Sequence, residues 1–97
     1  MTEMDKLEAY LKEKGYEYER IDKSEGLKDI PLIDIHQIIV YKRGKRDWDA
    51  ICHKGSYGYE QGLLEVMGSR VVRESDHDWV VGYLTAQDVI DRLEGRA

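Results

Sequence analysis

The sequence contains one cysteine, one proline, no phenylalanine and no long apolar run among its 97 residues. A single cysteine, Cys52, excludes an intramolecular disulfide and a four-cysteine zinc site. The lack of a long apolar run excludes a transmembrane helix. The N-terminal stretch MTEMDKLEAY is acidic and polar, unlike a signal peptide. We therefore expect the protein to act in the cytoplasm, away from membranes.

The composition and the charge narrow the class of protein further. Apolar residues make up 41% and charged residues 36% of the chain, as in one small globular domain. The net charge of −5 is uneven, because residues 36–59 carry five basic and two acidic residues and both flanking segments are acidic. A net-acidic chain is a poor general binder of nucleic acid, since phosphate neutralisation supplies most of that affinity. No motif indicates a cofactor.

Hydrophobic periodicity and turn residues predict an α+β domain that spans residues 1–97. The predicted order is α-β-β-β-α-β-β-α, with a mainly antiparallel sheet packed by helices. Helices are expected at 2–14, 59–67 and from Thr85 to Leu93, and strands at 16–21, 36–42, 47–54, 71–72 and 79–83. Trp48 is the strongest candidate for the core.

Residues 22–34 contain Gly26 and the only proline, Pro31, and are expected to form a long loop. Its apolar residues are expected to pack on the core: Leu27, Ile30, Leu32 and Ile33. Because loops of this length are unusual in compact domains, a mobile or functional segment is indicated.

A cluster of basic residues marks the turn after the second strand. Arg43, Lys45 and Arg46 follow Lys42 around Gly44, and they are candidate binding residues for phosphates or for an acidic protein surface. The alternative is a solvated turn whose charges keep a sheet edge from aggregating.

The segment GSYGYEQG carries the second candidate surface, with Tyr57 and Tyr59 as binding residues. It lacks the lysine and Ser/Thr of a P-loop and the GxGxxG spacing of a dinucleotide site. Tyrosine is favoured at interfaces because its large ring ends in a polar hydroxyl. The alternative is that these hydroxyls only reach solvent at the rim of a small core.

Catalytic and metal sites are weakly indicated. Cys52 precedes His53, but neighbours on a strand point to opposite faces, so only His36 across the hairpin could act as its base. A lone cysteine is more often a packed residue. The run from Asp76 to Asp78 offers carboxylates and an imidazole, but a polar turn has the same composition. We expect neither catalysis nor a metal.

The runs HQIIVY…WDAICHKGSYGYEQGLLEVMG and VVGYLTAQDVIDRLEG resemble small uncharacterised proteins encoded by phages and prophages of Firmicutes. The resemblance covers about two thirds of the chain and implies no activity and no site residue. It implies a genetic setting in which small accessory proteins bind and redirect a host protein.

These observations predict a non-enzymatic interaction protein that acts through the tyrosine-rich segment and the basic turn and forms a small homo-oligomer, such as a homodimer. The first alternative is a nucleic-acid accessory protein that binds weakly through the basic turn. The second alternative is an enzyme that uses Cys52 with His36.

Overall fold

A computed structural model describes residues 1–27 and 30–96 as two helices packed on a five-stranded antiparallel sheet. The strands lie in chain order, β1-β2-β3-β4-β5, so that each pairs with the next. The elements are α1 (Glu3–Lys14), β1 (Glu17–Leu27), β2 (Ile30–Lys42), β3 (Lys45–Ile51), β4 (Leu64–Met67), β5 (Val80–Leu84) and α2 (Ala86–Leu93). Single 3₁₀ turns form at Tyr59–Gln61 and Glu74–Asp76. The predicted α+β class and antiparallel sheet are confirmed.

Both helices begin at the capping boxes that the sequence predicts. The Thr2 hydroxyl accepts the Asp5 N–H, and the Asp5 carboxylate accepts the Thr2 N–H. Thr85 and Asp88 form the same reciprocal pair at the start of α2. These bonds satisfy backbone N–H groups that the first turn of a helix leaves without partners. Neither described helix is long and apolar enough to cross a membrane.

The core lies between the helices and one face of the sheet. Trp48 is only 1% exposed, and the cross-strand residue Val40 and the neighbouring Ala50 are buried with it. The helices contribute Met4, Leu7, Leu11, Ala86 and Val89 to the same cluster. Trp48 is therefore a core residue, as predicted, and its burial contributes strongly to stability.

The helix predicted at 59–67 is wrong, and so is the strand at 71–72. Only Tyr59–Gln61 is helical, because Gly62 adopts a left-handed conformation (φ 71°) that ends the turn. Leu64 and Val66 then alternate with exposed or half-buried neighbours in β4. The short run containing Val71 is a turn rather than a strand, and its Val71 side chain is buried. The observed order matches the predicted one when the 3₁₀ turn is counted in place of the middle helix and β4 in place of the strand predicted at 71–72.

The long loop predicted at 22–34 is wrong for residues 22–27 and 30–34, because β1 and β2 continue there as a paired hairpin, and the rest of that prediction, at 28–29, lies outside the described residues. We call this extension, residues 22–27 and 30–35, the hairpin arm. Pairing runs from Asp22↔His36 to Leu27↔Ile30, with a shift in register between Glu25 and Gly26, after which Gly26 pairs with Pro31. The predicted packing on the core is wrong for Leu27, Leu32 and Ile33, which are exposed. The side chain of Ile30 lies outside the described residues.

Candidate functional site

A cleft of about 640 Å³ opens between the N-terminus of α1, the hairpin arm and the segment that follows β3. Met4, Cys52 and Leu64 contribute its apolar surface. Its remaining walls carry mostly charged or hydrogen-bonding side chains: Asp5, Arg20, Asp22, Asp34, His36, Tyr59 and Glu60. Most of these polar groups bind one another, so the cleft is held by an internal polar network.

His36 lies at the centre of this network. Its Nδ1 is 2.7 Å from an oxygen of Asp22, and its Nε2 is 2.8 Å from an oxygen of Asp34. Ionised carboxylates only accept hydrogen bonds, so both contacts are satisfied when the imidazole carries two protons. Burial alone would lower the pKa of His36, but the bonds to Asp22 and Asp34 outweigh it and raise that pKa. The imidazolium therefore ties β1 to β2.

Tyr59 connects the network to the segment after β3. Its hydroxyl donates to the second oxygen of Asp34 at 2.5 Å, and this bond is the main cause of the raised pKa of Tyr59. The same bond is the largest cause of the lowered pKa of Asp34. Tyr59 was predicted as a contact residue on a free surface, but its hydroxyl points into the cleft.

Arg20 connects β1, on one wall of the cleft, with helix α1. Its guanidinium lies 2.8 Å from Asp5, 2.9 Å from Glu8 and 2.9 Å from Asp22. The sequence interpretation missed Arg20 and Asp22 as members of a site. The sequence pattern that could have found them is the two-residue period of β1. It places Arg20 and Asp22 on the same face as Tyr18, which is the side that faces the helices.

Cys52 and His36 are neighbours, as the hairpin register predicts, but they are not arranged for nucleophilic catalysis. The Cys52 N–H donates to the His36 carbonyl at 2.8 Å. Both ring nitrogens of His36 are occupied by carboxylates, so neither is available to take the thiol proton. Burial, aided by Asp34, raises the pKa of Cys52 and disfavours the thiolate.

His53 has the opposite environment to His36. Its Nδ1 accepts the backbone N–H of His36 at 3.0 Å, which requires that nitrogen to be unprotonated. Burial is the main cause of the lowered pKa of His53. Two adjacent histidines therefore favour opposite charge states, one imidazolium and one neutral ring.

Tyr57, unlike Tyr59, lies on the surface and stacks on Tyr83. The two rings are 59% and 60% exposed, with centroids 6.4 Å apart and planes inclined by 23°. The Tyr83 N–H donates to the Tyr57 carbonyl at 3.3 Å. A Cβ at Gly82 would lie 2.3 Å from the Tyr57 Cβ, so only glycine permits this approach. We call Tyr57 and Tyr83 the tyrosine pair; it borders a groove of about 500 Å³ formed by residues 54–61.

The basic turn forms as predicted. Arg43 (φ 55°) and Gly44 (φ 77°) both adopt left-handed conformations, the geometry of a tight two-residue hairpin turn. Arg46 differs from the other basic residues, because it bridges at 3.0 Å to Asp49, which is only 5% exposed. Among the described residues, no carboxylate forms an ion pair with Lys42, Arg43 or Lys45. Three free cations therefore project at this end of the sheet.

The carboxylate of Asp76 in the polar turn is occupied by hydrogen bonds from the chain itself. Asp76 accepts two hydrogen bonds from the Arg92 guanidinium and one from the Arg73 N–H. Over residues 1–27 and 30–96, no three His, Cys, Asp or Glu side chains converge as metal ligands would. The carboxylate of Asp76 instead anchors α2 to the segment before β5.

Comparison with known proteins adds no homologue: no protein-family model, curated protein or solved structure matches the chain. The resemblance to phage and prophage proteins stays a prediction. The case for a function therefore rests mainly on the geometry described above.

Proposed function

We propose that this chain is a non-enzymatic interaction protein that binds another protein through the tyrosine pair. The observation that carries the proposal is the exposure of two stacked aromatic rings on a hydrogen-bonded backbone. Large aromatic rings dominate the binding energy of protein interfaces, and holding them in place before binding reduces the entropy lost on association.

The support for the pair is built into the backbone. Gly82 leaves room for Tyr57 where a Cβ would collide with it, and the Tyr83 N–H donates a hydrogen bond to the Tyr57 carbonyl. The Tyr57 N–H in turn donates to the Glu65 carboxylate on β4 at 3.2 Å. The backbone that carries both rings is thus bonded to the sheet, while the adjoining groove leaves space for side chains of a partner.

The resemblance to phage and prophage proteins favours a cytoplasmic host protein as the partner. The polar cleft then acts as a structural brace, since Tyr59 and Asp34 hold the segment that carries Tyr57. Catalysis by Cys52 is disfavoured by the occupied nitrogens of His36 and by the raised pKa of the thiol.

The proposal is tested by capturing partners from a nuclease-treated Firmicute lysate with three forms of the chain. These are the wild type, the double variant Tyr57→Ala, Tyr83→Ala, and the control Trp79→Ala, which removes a ring that is 88% exposed elsewhere. Tyr59 is left intact, because its loss would disturb the cleft.

We expect a specific host protein to be retained by the wild type and by Trp79→Ala and lost by the double variant. Circular dichroism and thermal unfolding confirm that all three forms are folded. Equal retention by the folded double variant would refute the tyrosine pair as the binding surface.

A second candidate function is weak nucleic-acid binding, favoured by the free cations of the basic turn. Its test replaces Lys42, Arg43 and Lys45 with glutamine and keeps Arg46, whose removal would leave the buried Asp49 without its ion partner. Nucleic-acid binding predicts an affinity that falls steeply with salt and is lost in the triple variant. The absence of binding at low salt would eliminate this function.

A further inference from the structure

The two edges of the sheet differ in how well they are protected from pairing with another strand. β5 is five residues long, is interrupted by the left-handed residue Tyr83, and has the Tyr83 N–H occupied by Tyr57. Short length, irregular backbone and a covering segment are ordinary protections of an edge strand. The edge at β5 is therefore poorly suited to pairing.

The edge at β1 lacks these protections. β1 is eleven residues long and keeps a regular register from Glu17 to Glu25, without proline. Among the described strands, none pairs with its outer edge. What remains to limit pairing is its charged side chains, so their arrangement decides what the strand can accept.

We propose that β1 pairs antiparallel with β1 of a second copy of this chain, around a two-fold axis at Ile21, to form a continuous ten-stranded sheet. Directly opposed residues of an antiparallel pair point to the same face of the sheet, whereas neighbours on one strand point to opposite faces. The two-fold axis must therefore pass midway between the two copies of a single residue, because residue i cannot oppose residue i+1 of the other copy. With the axis at Ile21, Glu19 faces Lys23 of the other copy, and Arg20 faces Asp22.

This register places opposite charges together on both faces of the sheet. Glu19 and Lys23 lie on the face without helices, whereas Arg20 and Asp22 lie on the helix-facing side. Two-fold symmetry repeats each pair, and apolar Ile21 meets its own copy at the centre. At the outer ends Glu17 faces Glu25, but both are exposed and Lys23 is diagonal to Glu17.

The neighbouring registers on the same strand are unfavourable. An axis at Arg20 would oppose two arginines, and an axis at Asp22 would oppose two aspartates. An axis at Lys23 would oppose two lysines, and one at Glu19 two glutamates. Like charges directly opposite each other destabilise a strand pair. Among the axes from Glu19 to Lys23, the charge pattern therefore favours Ile21.

The first test is sedimentation of the unmodified chain over a wide concentration range. We expect a dimer that dissociates on dilution and weakens as salt is added. A monomer at all concentrations would overturn the proposal and leave the charges of β1 as a barrier to association.

The second test fixes the register by disulfide trapping in a Cys52→Ala background. Ile21→Cys places two thiols across the axis and should give a cross-linked dimer on mild oxidation. Lys23→Cys is the matched control, because its two copies would be about 13 Å apart, beyond the reach of a disulfide. A dimer that cross-links through position 23 or fails to cross-link through position 21 would overturn the register.

Charge reversal separates the proposed pairing from an unrelated dimer. Lys23→Glu should raise the dimer dissociation constant by at least ~10-fold, because it creates two like-charge contacts with Glu19. Adding Glu19→Lys restores opposite charges and should recover the dimer. An unchanged dissociation constant in the single variant would contradict the pairing of the two β1 strands. This dimer does not involve the tyrosine pair, so its failure would leave the proposed partner binding untouched.

Discussion

Replacing His36 with glutamine tests whether the polar cleft depends on an imidazolium. In the wild type, His36 makes charge-assisted hydrogen bonds to Asp22 and Asp34. Glutamine has one donor group for two carboxylates, and it removes the positive charge between them. Such bonds are worth roughly 1.5–3 kcal/mol each when buried, and His36 is one-third exposed, so we expect a total loss of about 2 kcal/mol near pH 6.

The loss should depend on pH in a defined direction. Because the pKa of His36 is raised on folding, the folded state holds the proton more tightly than the unfolded state. The stabilisation is therefore fully present below the unfolded pKa of about 6.5, and it is lost as the pH rises through the higher folded pKa.

The assay is urea denaturation of the wild type and of His36→Gln at several pH values from about 6 to 9. The stability difference should be largest at the acidic end and shrink as the pH rises. His77→Asn is the control, since it removes an exposed histidine far from the cleft and retains a residue that tolerates its left-handed backbone. A difference that is independent of pH, or that grows with pH, would refute a charged His36.

Two further predictions concern the core and the anchor of α2. Trp48→Ala should destabilise the protein by roughly 3–5 kcal/mol, as for a large core aromatic. Trp48→Phe should cost less than about 1.5 kcal/mol, because it also removes an indole N–H that is buried without a partner among the described residues. Arg92→Met should cost about 2 kcal/mol at neutral pH by releasing Asp76. Arg92 holds the pKa of Asp76 at about 2, so this contribution is lost as the pH falls from about 4 towards 2. Denaturation curves at pH 7 and in acid check these values, and a milder effect of Trp48→Ala than of Trp48→Phe would contradict the packing.

The features predicted correctly are those set by neighbouring residues. The Thr2 and Thr85 caps, the Gly44 turn and the burial of Trp48 all follow from short spacings and from alternation along one strand. The caps and the turn depend on contacts that span a few residues, and the inward direction of Trp48 depends on alternation along one strand, so the sequence pattern contains them.

The errors arose where the local pattern fits two structures. Leu63, Leu64 and Met67 have spacings compatible with a helix, and the left-handed conformation of Gly62 decides for a 3₁₀ turn followed by a strand. Gly26 and Pro31 are typical of a loop, yet the two residues pair with each other within the hairpin, next to a shift in register.

The polar cleft could not be predicted because its members are distant in sequence. Asp22 meets His36 only through the β1–β2 register, and Tyr59 meets Asp34 through the turn after β3. The tyrosine prediction was therefore partly wrong in orientation: Tyr57 is exposed, as an interface residue should be, whereas the hydroxyl of Tyr59 is bound within the cleft.

The most direct test of the interaction proposal is the affinity of the captured, purified host protein for the variants. Truncating interface aromatics at binding hot spots costs about 2 kcal/mol or more, which corresponds to about a 30-fold change in Kd. We expect Tyr57→Ala, Tyr83→Ala to weaken binding by at least that factor, while Trp79→Ala remains within about 3-fold of the wild type. Equal affinity of all three folded proteins would contradict the proposal that the tyrosine pair is the binding surface.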